Sequence, residues 1–103
     1  MSSPTQRTLA ALKAGGYTAQ VVERWNPHAR VRQDLFGFID VLAIREGEVL
    51  GVQACAGASA SARVKKIEEH EHLPVVRKAG IRIEVHAWRK LKSGWACRVI
   101  DMS

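Results

Sequence analysis

The spacing of apolar positions changes several times along the chain, and each change marks an element. Over residues 5–14, Leu9 and Leu12 share one helical face; Thr5 is placed to cap the start and Gly15-Gly16 to stop it. Residues 17–25 alternate around Val21 and Val22 as a strand, and Asn26-Pro27 break it. Residues 26–34 then read as a polar loop carrying Arg30, Arg32 and Asp34. Residues 36–44 are almost continuously apolar and rich in aromatic and β-branched side chains, the pattern of a strand covered on both faces. A turn at 45–48 containing Gly47 returns the chain into a second such strand, 49–55, so the pair is a hairpin.

Helical spacing resumes over 59–70, where Ala60, Val64 and Ile67 share a face and Ser59 or Ser61 can serve as N-cap. Lys65 and Glu69 are spaced for an i,i+4 pair. Pro74 opens a short helical piece that ends at Gly80. Residues 81–88 alternate as a strand covered on one face, 89–94 form a basic turn, and 95–100 form the last strand. The order is α-β-β-β-α-(α)-β-β with no repeat, linker or low-complexity tract. It predicts a single α/β domain over 1–103, with a mixed central sheet flanked by helices.

Two polar residues interrupt the apolar hairpin. With the turn near 46–47, Asp40 on one strand falls opposite Gln53 on the other, so the two side chains should meet on one face. A carboxylate inside a buried strand costs several kcal/mol unless a cation or hydrogen bonds compensate it. A divalent ion held by Asp40 and the Gln53 carbonyl oxygen would supply that compensation, and Mg²⁺ suits hard oxygen ligands, with Mn²⁺ as the alternative. The competing expectation is that Asp40 caps a strand end or pairs with Arg30 or Arg32.

Composition narrows the classes. With 47% hydrophobic and 25% charged residues the chain can bury a core. A chain of 103 residues buries only about 60–70% of its unfolded surface, which makes a dimer an expected source of added stability. No apolar run approaches the roughly 20 residues that cross a bilayer, the first residues do not read as a signal peptide, and two cysteines make neither a disulfide framework nor a zinc site. The expectation is a cytoplasmic protein without a membrane segment. The net charge is +6, split as +1 over residues 1–51 and +5 over 52–103. Basic charge gathered in one half points to a polyanion, most simply nucleic acid, against the alternative of a solvated basic face.

Gly37-Phe38-Ile39-Asp40, the following hairpin and the basic helix after it resemble the restriction-endonuclease-like PD-(D/E)XK nuclease superfamily, in particular the small phage and archaeal Holliday-junction resolvases. The likeness spans roughly residues 5 to 100 and rests on element order and a short motif. It implies a Mg²⁺-dependent, structure-selective endonuclease that hydrolyses phosphodiesters in branched DNA and acts as a homodimer. The strands at 81–88 and 95–100 are the expected dimer surface. Asp40 would be the main metal ligand and Gln53 the second, with Glu23 and Asp34 as further acidic candidates. Where the superfamily has Glu-x-Lys, this chain has Gln53-Ala54-Cys55. Some relatives carry the lysine on the next helix, which makes Lys65 or Lys66 the candidate here.

Arg30, Arg32, Arg63, Lys65 and Lys66 would grip backbone phosphates. Ser59 and Ser61 lie at a helix start, where a phosphate could dock, although capping is the simpler role. Ordinary surface ion pairs (Glu23 with Arg24, Asp34 with Arg32) are the plain alternative for the extra acids. Trp25 and Trp95 are expected to pack, His86 and Trp88 to lie in the core or an interface, and Cys55 and Cys97 to act as small buried hydrophobes. The other readings are a catalytically silent DNA- or RNA-binding protein on the same scaffold, and a nuclease for ordinary duplex or nicked DNA.

Overall fold

A computed structural model describes residues 3–103. Helix α1 (Pro4–Ala14) opens the fold, with Pro4 in its first turn. Its N-cap is Ser3, whose hydroxyl accepts the Gln6 N–H at 3.2 Å, rather than Thr5. Strands β1 (Thr18–Val21), β4 (Val41–Arg45), β5 (Glu48–Ala56), β6 (Ile81–Leu91) and β7 (Gly94–Asp101) form one sheet in the order β1-β4-β5-β6-β7. Only β5 and β6 run parallel, joined by a 3₁₀ turn (Gly57–Ser59) and helices α2 (Ala60–Glu68) and α3 (Leu73–Lys78). The sheet is therefore mixed, and helices cover it on both sides. No helix among the described residues is long and apolar enough to cross a membrane.

Two apolar clusters fill the two gaps. Against α1, Leu12 packs on Val41, Ala43, Leu50 and Val52. Against α2 and α3, Ile67, Leu73 and Val76 pack on Ile83, Val85, Phe38 and Ile39. Side chains alternate across a strand, so Val41, Ala43, Leu50 and Val52 look toward α1. Asp40 and Gln53, one step away from Val41 and Val52, look toward α2. The hairpin register is the expected one: Val41 lies opposite Val52, and the Asp40 N–H donates to the Val52 carbonyl at 2.9 Å.

Three segments depart from the sequence expectation. The shortest is 89–91, expected in a basic turn, where β6 runs on to Leu91 paired with β7 because the two residues 92–93 suffice for the turn. Residues 36–40 are not strand. Phe36 and Gly37 both have positive φ, 55° and 88°, a conformation no strand accommodates. The chain instead folds into a turn closed by the Leu35–Ile39 bridge, and it presses Phe38 and Ile39, both fully buried, into the α2 gap as a plug. Two glycines make room for it. The His70 ring sits where a Gly37 Cβ would be, and a Gly51 Cβ would come within 2.6 Å of Ile39 Cδ1.

Residues 17–25 are likewise not one strand, and 26–34 are not a loop. The sheet strand ends at Val21, and β2 (Arg24–Asn26) pairs with β3 (Val31–Gln33) in a separate antiparallel hairpin. This arm leaves the sheet after Glu23 and returns at Asp34. Its turn is organised by Asn26, whose side-chain oxygen accepts the N–H groups of His28 and Ala29 at 3.0 and 3.2 Å.

Candidate functional site

Asp40 sits between the plug turn and β4, 3% exposed, with its side chain on the α2 side of the sheet. One of its oxygens, Oδ2, accepts the Ala54 N–H at 2.9 Å and the Gln53 Nε2–H at 2.7 Å. The expected meeting of Asp40 and Gln53 is present, but it is made by the amide N–H of Gln53. The Gln53 Oε1 atom is buried without a hydrogen-bond partner. Neither Arg30 nor Arg32 pairs with Asp40.

The arm brings the missing charge. Glu23 precedes β2 and Asp34 follows β3, so the two residues at the base of the arm are neighbours in space. Their carboxylate oxygens and that of Asp40 all lie within 4.8 Å of one another. Burial pushes the Asp40 carboxyl up to about 7, and a hydrogen bond with Asp34 and that neighbour's charge push the same way. The bonds from Ala54 and Gln53 oppose the rise without cancelling it. Near neutral pH the Asp40 carboxyl is therefore only partly ionised, where a free aspartate would be fully so.

Around the acids is a cavity of about 450 Å³, open on one side, with Arg32, Arg63, Lys66 and Ser59 on its walls. Arg32 Nη1 reaches Glu23 Oε1 at 3.0 Å, and Lys66 Nζ lies 3.4 Å from Asp34 Oδ2. These pairs differ from the expected Glu23–Arg24 and Asp34–Arg32 because β2 and β3 are hydrogen-bonded to each other, which sets Arg32 beside the base of the arm. Ser59 occupies the N-cap position of α2, yet its side chain makes no capping bond, so its hydroxyl is free for another partner.

Several candidates lie elsewhere. Lys65 and Ser61 line a separate concavity with Glu68 and Arg98, on another side of α2 from the acids. Lys65 makes no ion pair with Glu69. Arg30 is exposed on the arm, outside the cavity. Cys55, in the position where the resemblance expects lysine, is buried beside Asp40, and burial pushes its thiol above the usual range. It supplies no cation. Cys97 is only partly covered, and burial pushes its thiol up to about 11. A larger concavity of about 610 Å³, floored by Ala87 and Ala96 between Arg89 and Arg98, contains no carboxylate.

A second buried polar cluster lies on the α1 side. The Trp88 Nε1–H donates to Thr8 Oγ1 at 2.9 Å, and Thr8 Oγ1 is 3.3 Å from His86 Nδ1. On its other side, His86 Nε2 is 3.0 Å from Glu84 Oε1. Arg82 then links Glu84 to Glu48, which also accepts from Tyr17 OH and Arg45 Nε, each at 2.7 Å. These bonds hold the Glu48 carboxyl below its usual range, Tyr17 contributing most. His86 is buried and Trp88 half-buried, as expected. Trp25 is 57% exposed, which departs from the packing role expected for it, whereas Trp95, 46% exposed, packs one ring face against cationic side chains. Trp95 lies under the Arg7 guanidinium, 3.4 Å from ring centroid to Cζ.

In comparison with known proteins, no family model matches the chain and no curated protein matches it significantly.

Proposed function

We propose that this protein is a metal-dependent endonuclease for branched DNA, a reading that deepens the resemblance to the PD-(D/E)XK nucleases. One observation carries it. Three carboxylates from three separate stretches of chain converge within 4.8 Å in a cavity whose walls are basic. Packing like charges this closely is unfavourable unless a proton or a cation sits among them. In the free protein Arg32 beside Glu23, Lys66 beside Asp34 and the raised Asp40 carboxyl meet that need in part. The donor set fits a hard divalent ion: carboxylate oxygens of Asp40, Asp34 and Glu23.

Mg²⁺ or Mn²⁺ held by those carboxylates would polarise a scissile phosphate and lower the pKa of an attacking water. The chain's own residues do the rest. Gln53 and the Ala54 N–H fix the rotamer of Asp40, so that its carboxylate is aimed before any ligand arrives. Arg63 and Lys66 project from α2 into the cavity, where they can hold the oxygens of a phosphodiester. Lys66 is then the counterpart of the lysine absent at Cys55. Lys65 acts outside the site. The Ser59 hydroxyl, with no capping bond to give up, is a further donor to phosphate. Symmetric cutting of a four-way junction needs two such sites, hence a two-fold dimer. The exposed Trp95 and Val99, which share one face of β7, are the surface for it.

Cleavage of a labelled four-way junction, with linear and nicked duplexes alongside, tests this. Cutting is expected with Mg²⁺ and none with EDTA, and Asp40→Ala abolishes it while junction binding survives. Cutting that persists in Asp40→Ala refutes the site. A second reading has one observation in its favour: at the motif position the cation is replaced by a buried neutral thiol, as in a protein that only binds DNA. Absence of cutting with either ion, with binding intact, selects it.

A further inference from the structure

The arm formed by β2 and β3 does more than deliver Glu23 and Asp34. Residues 24–33 contain Arg24, His28, Arg30 and Arg32 and no acid. Arg24 and Arg30 have no carboxylate partner among the described residues. In the middle of this basic arm is Trp25, 57% exposed, lining a shallow concavity of about 430 Å³ with Arg24, Pro27 and His28. Exposing this much aromatic surface on a two-stranded arm adds nothing to the fold. Trp25 pairs across the arm with Arg32, and directly paired residues share a face. Arg32 in turn reaches Glu23 at 3.0 Å and lines the acidic cavity. Trp25 is two residues from Glu23, so their Cα atoms are at most about 7 Å apart. Trp25 and Arg32 thus share one face of the arm, and Arg32 joins that face to the acidic cavity.

We propose that Trp25 is a stacking platform for an unpaired base flanking the phosphodiester at the acidic cavity, with Arg24 and Arg30 on the neighbouring phosphates. The proposal rests on the nuclease reading and supplies it with a source of structure selectivity. A base inside a continuous duplex is already stacked on both faces and has none to offer. A base at a branch, flap or bulge has a free face, and stacking on an aromatic side chain is tolerant of sequence. The arm is organised in advance by Asn26, so little order has to be gained on binding.

The test is equilibrium binding in EDTA, read by fluorescence anisotropy of end-labelled DNA, which separates it from any cleavage. Trp25→Ala is expected to weaken binding to a duplex with a three-nucleotide bulge by roughly 10- to 100-fold, in line with stacking on one base. Binding to the fully paired duplex should stay the same, and Trp25→Phe should recover most of the loss. Because Trp25 is exposed on the arm, the variants are expected to melt with wild type. Equal losses on both DNAs, or no loss on either, overturn the platform. If the wild-type protein cuts in Mg²⁺ while Trp25→Ala binds and discriminates normally, the platform falls and the nuclease stands. If the wild-type protein binds neither DNA, both fall.

Discussion

The two faces of the sheet each bury a polar cluster, and they are resolved in opposite ways. On the α1 face every acid has a partner: Glu84 has Arg82 and His86, and Glu48 has Arg82, Arg45 and Tyr17. On the α2 face Asp40 has two N–H donors and no cation, and two further carboxylates stand within 4.8 Å of it. The titration of one group on each side records the difference. Glu48 is held below its usual range, whereas Asp40 is pushed up to about 7. A buried polar group whose needs are met within the chain is part of the scaffold. One left without a cation, beside two further carboxylates, is where the proposed metal would bind.

That contrast breaks most sharply in activity. Asp40→Ala is expected to lower Mg²⁺-dependent junction cleavage by at least about a hundredfold, the scale on which electrostatic groups of an active site act. Thr8→Val, at the centre of the α1-side network, should leave the rate per folded molecule unchanged. Single-turnover cleavage, normalised to the folded fraction from circular dichroism, measures both. Similar losses from the two substitutions would erase the distinction between the faces.

In stability the same pair of sites should respond with opposite sign. Asp40→Asn keeps an oxygen for the Ala54 N–H while removing the buried charge. It is expected to stabilise the free protein at pH 8 by about 1–3 kcal/mol. Thr8→Val leaves the Trp88 N–H and His86 without their shared partner in a fully buried position. It is expected to destabilise by about 1–3 kcal/mol, a drop in Tm of about 4–8 °C per kcal/mol. Urea and thermal melts at pH 8 in EDTA check both signs.

The effect of pH follows from Asp40. Its carboxyl is raised in the fold to about 7 from an ordinary 3.8, so between those values the native state holds a proton that the unfolded chain has lost. The contribution is fully present below pH 4 and is lost as pH rises through 7. Melts in EDTA should therefore show the metal-free protein weakening between about pH 4 and 7 and levelling off above that. Asp40→Asn flattens that slope, and millimolar Mg²⁺ restores stability at pH 8 by binding the ionised form. A slope unchanged in Asp40→Asn would place the titration elsewhere.

How much of this the sequence discloses depends on whether a feature is local. The β4–β5 register is legible because one short turn fixes it, and it correctly sets Asp40 beside Gln53. The mixed sheet is legible because a helical stretch separates hairpin from hairpin. The plug turn is not. Phe38 and Ile39 look like strand residues, and only a non-glycine φ of 55° at Phe36, which no residue type announces, turns them into a core contact. The arm is hidden for another reason. Its three-residue strands are too short to show alternation, and their Arg, Asn and Gln are typical of loops. Because the arm is hidden, Glu23 and Asp34 can be named as candidates but not joined. The exposed Trp25 carries a signal that could have been read: an aromatic beside arginines, with Glu23 and Pro27 at strand spacing.

The smallest effect separates two adjacent lysines. Lys65 and Lys66 are indistinguishable in composition, and α2 turns them about 100° apart. Lys66 points to Asp34, with its amine at 3.4 Å, whereas Lys65 lies with Ser61 and Glu68 on another side of the helix. An exposed ion pair of that length contributes little to folding, so neither Lys→Ala change should shift Tm by more than a few degrees. Cleavage should tell them apart. Lys66→Ala removes a cation from the cavity wall and is expected to slow the chemical step about tenfold, the low end for one electrostatic contact. Lys65→Ala should change only DNA affinity, lowering the slope of log K against log salt by about one. If Lys65→Ala slowed the single-turnover rate as much as Lys66→Ala, the acids would not be the place where the chemistry occurs.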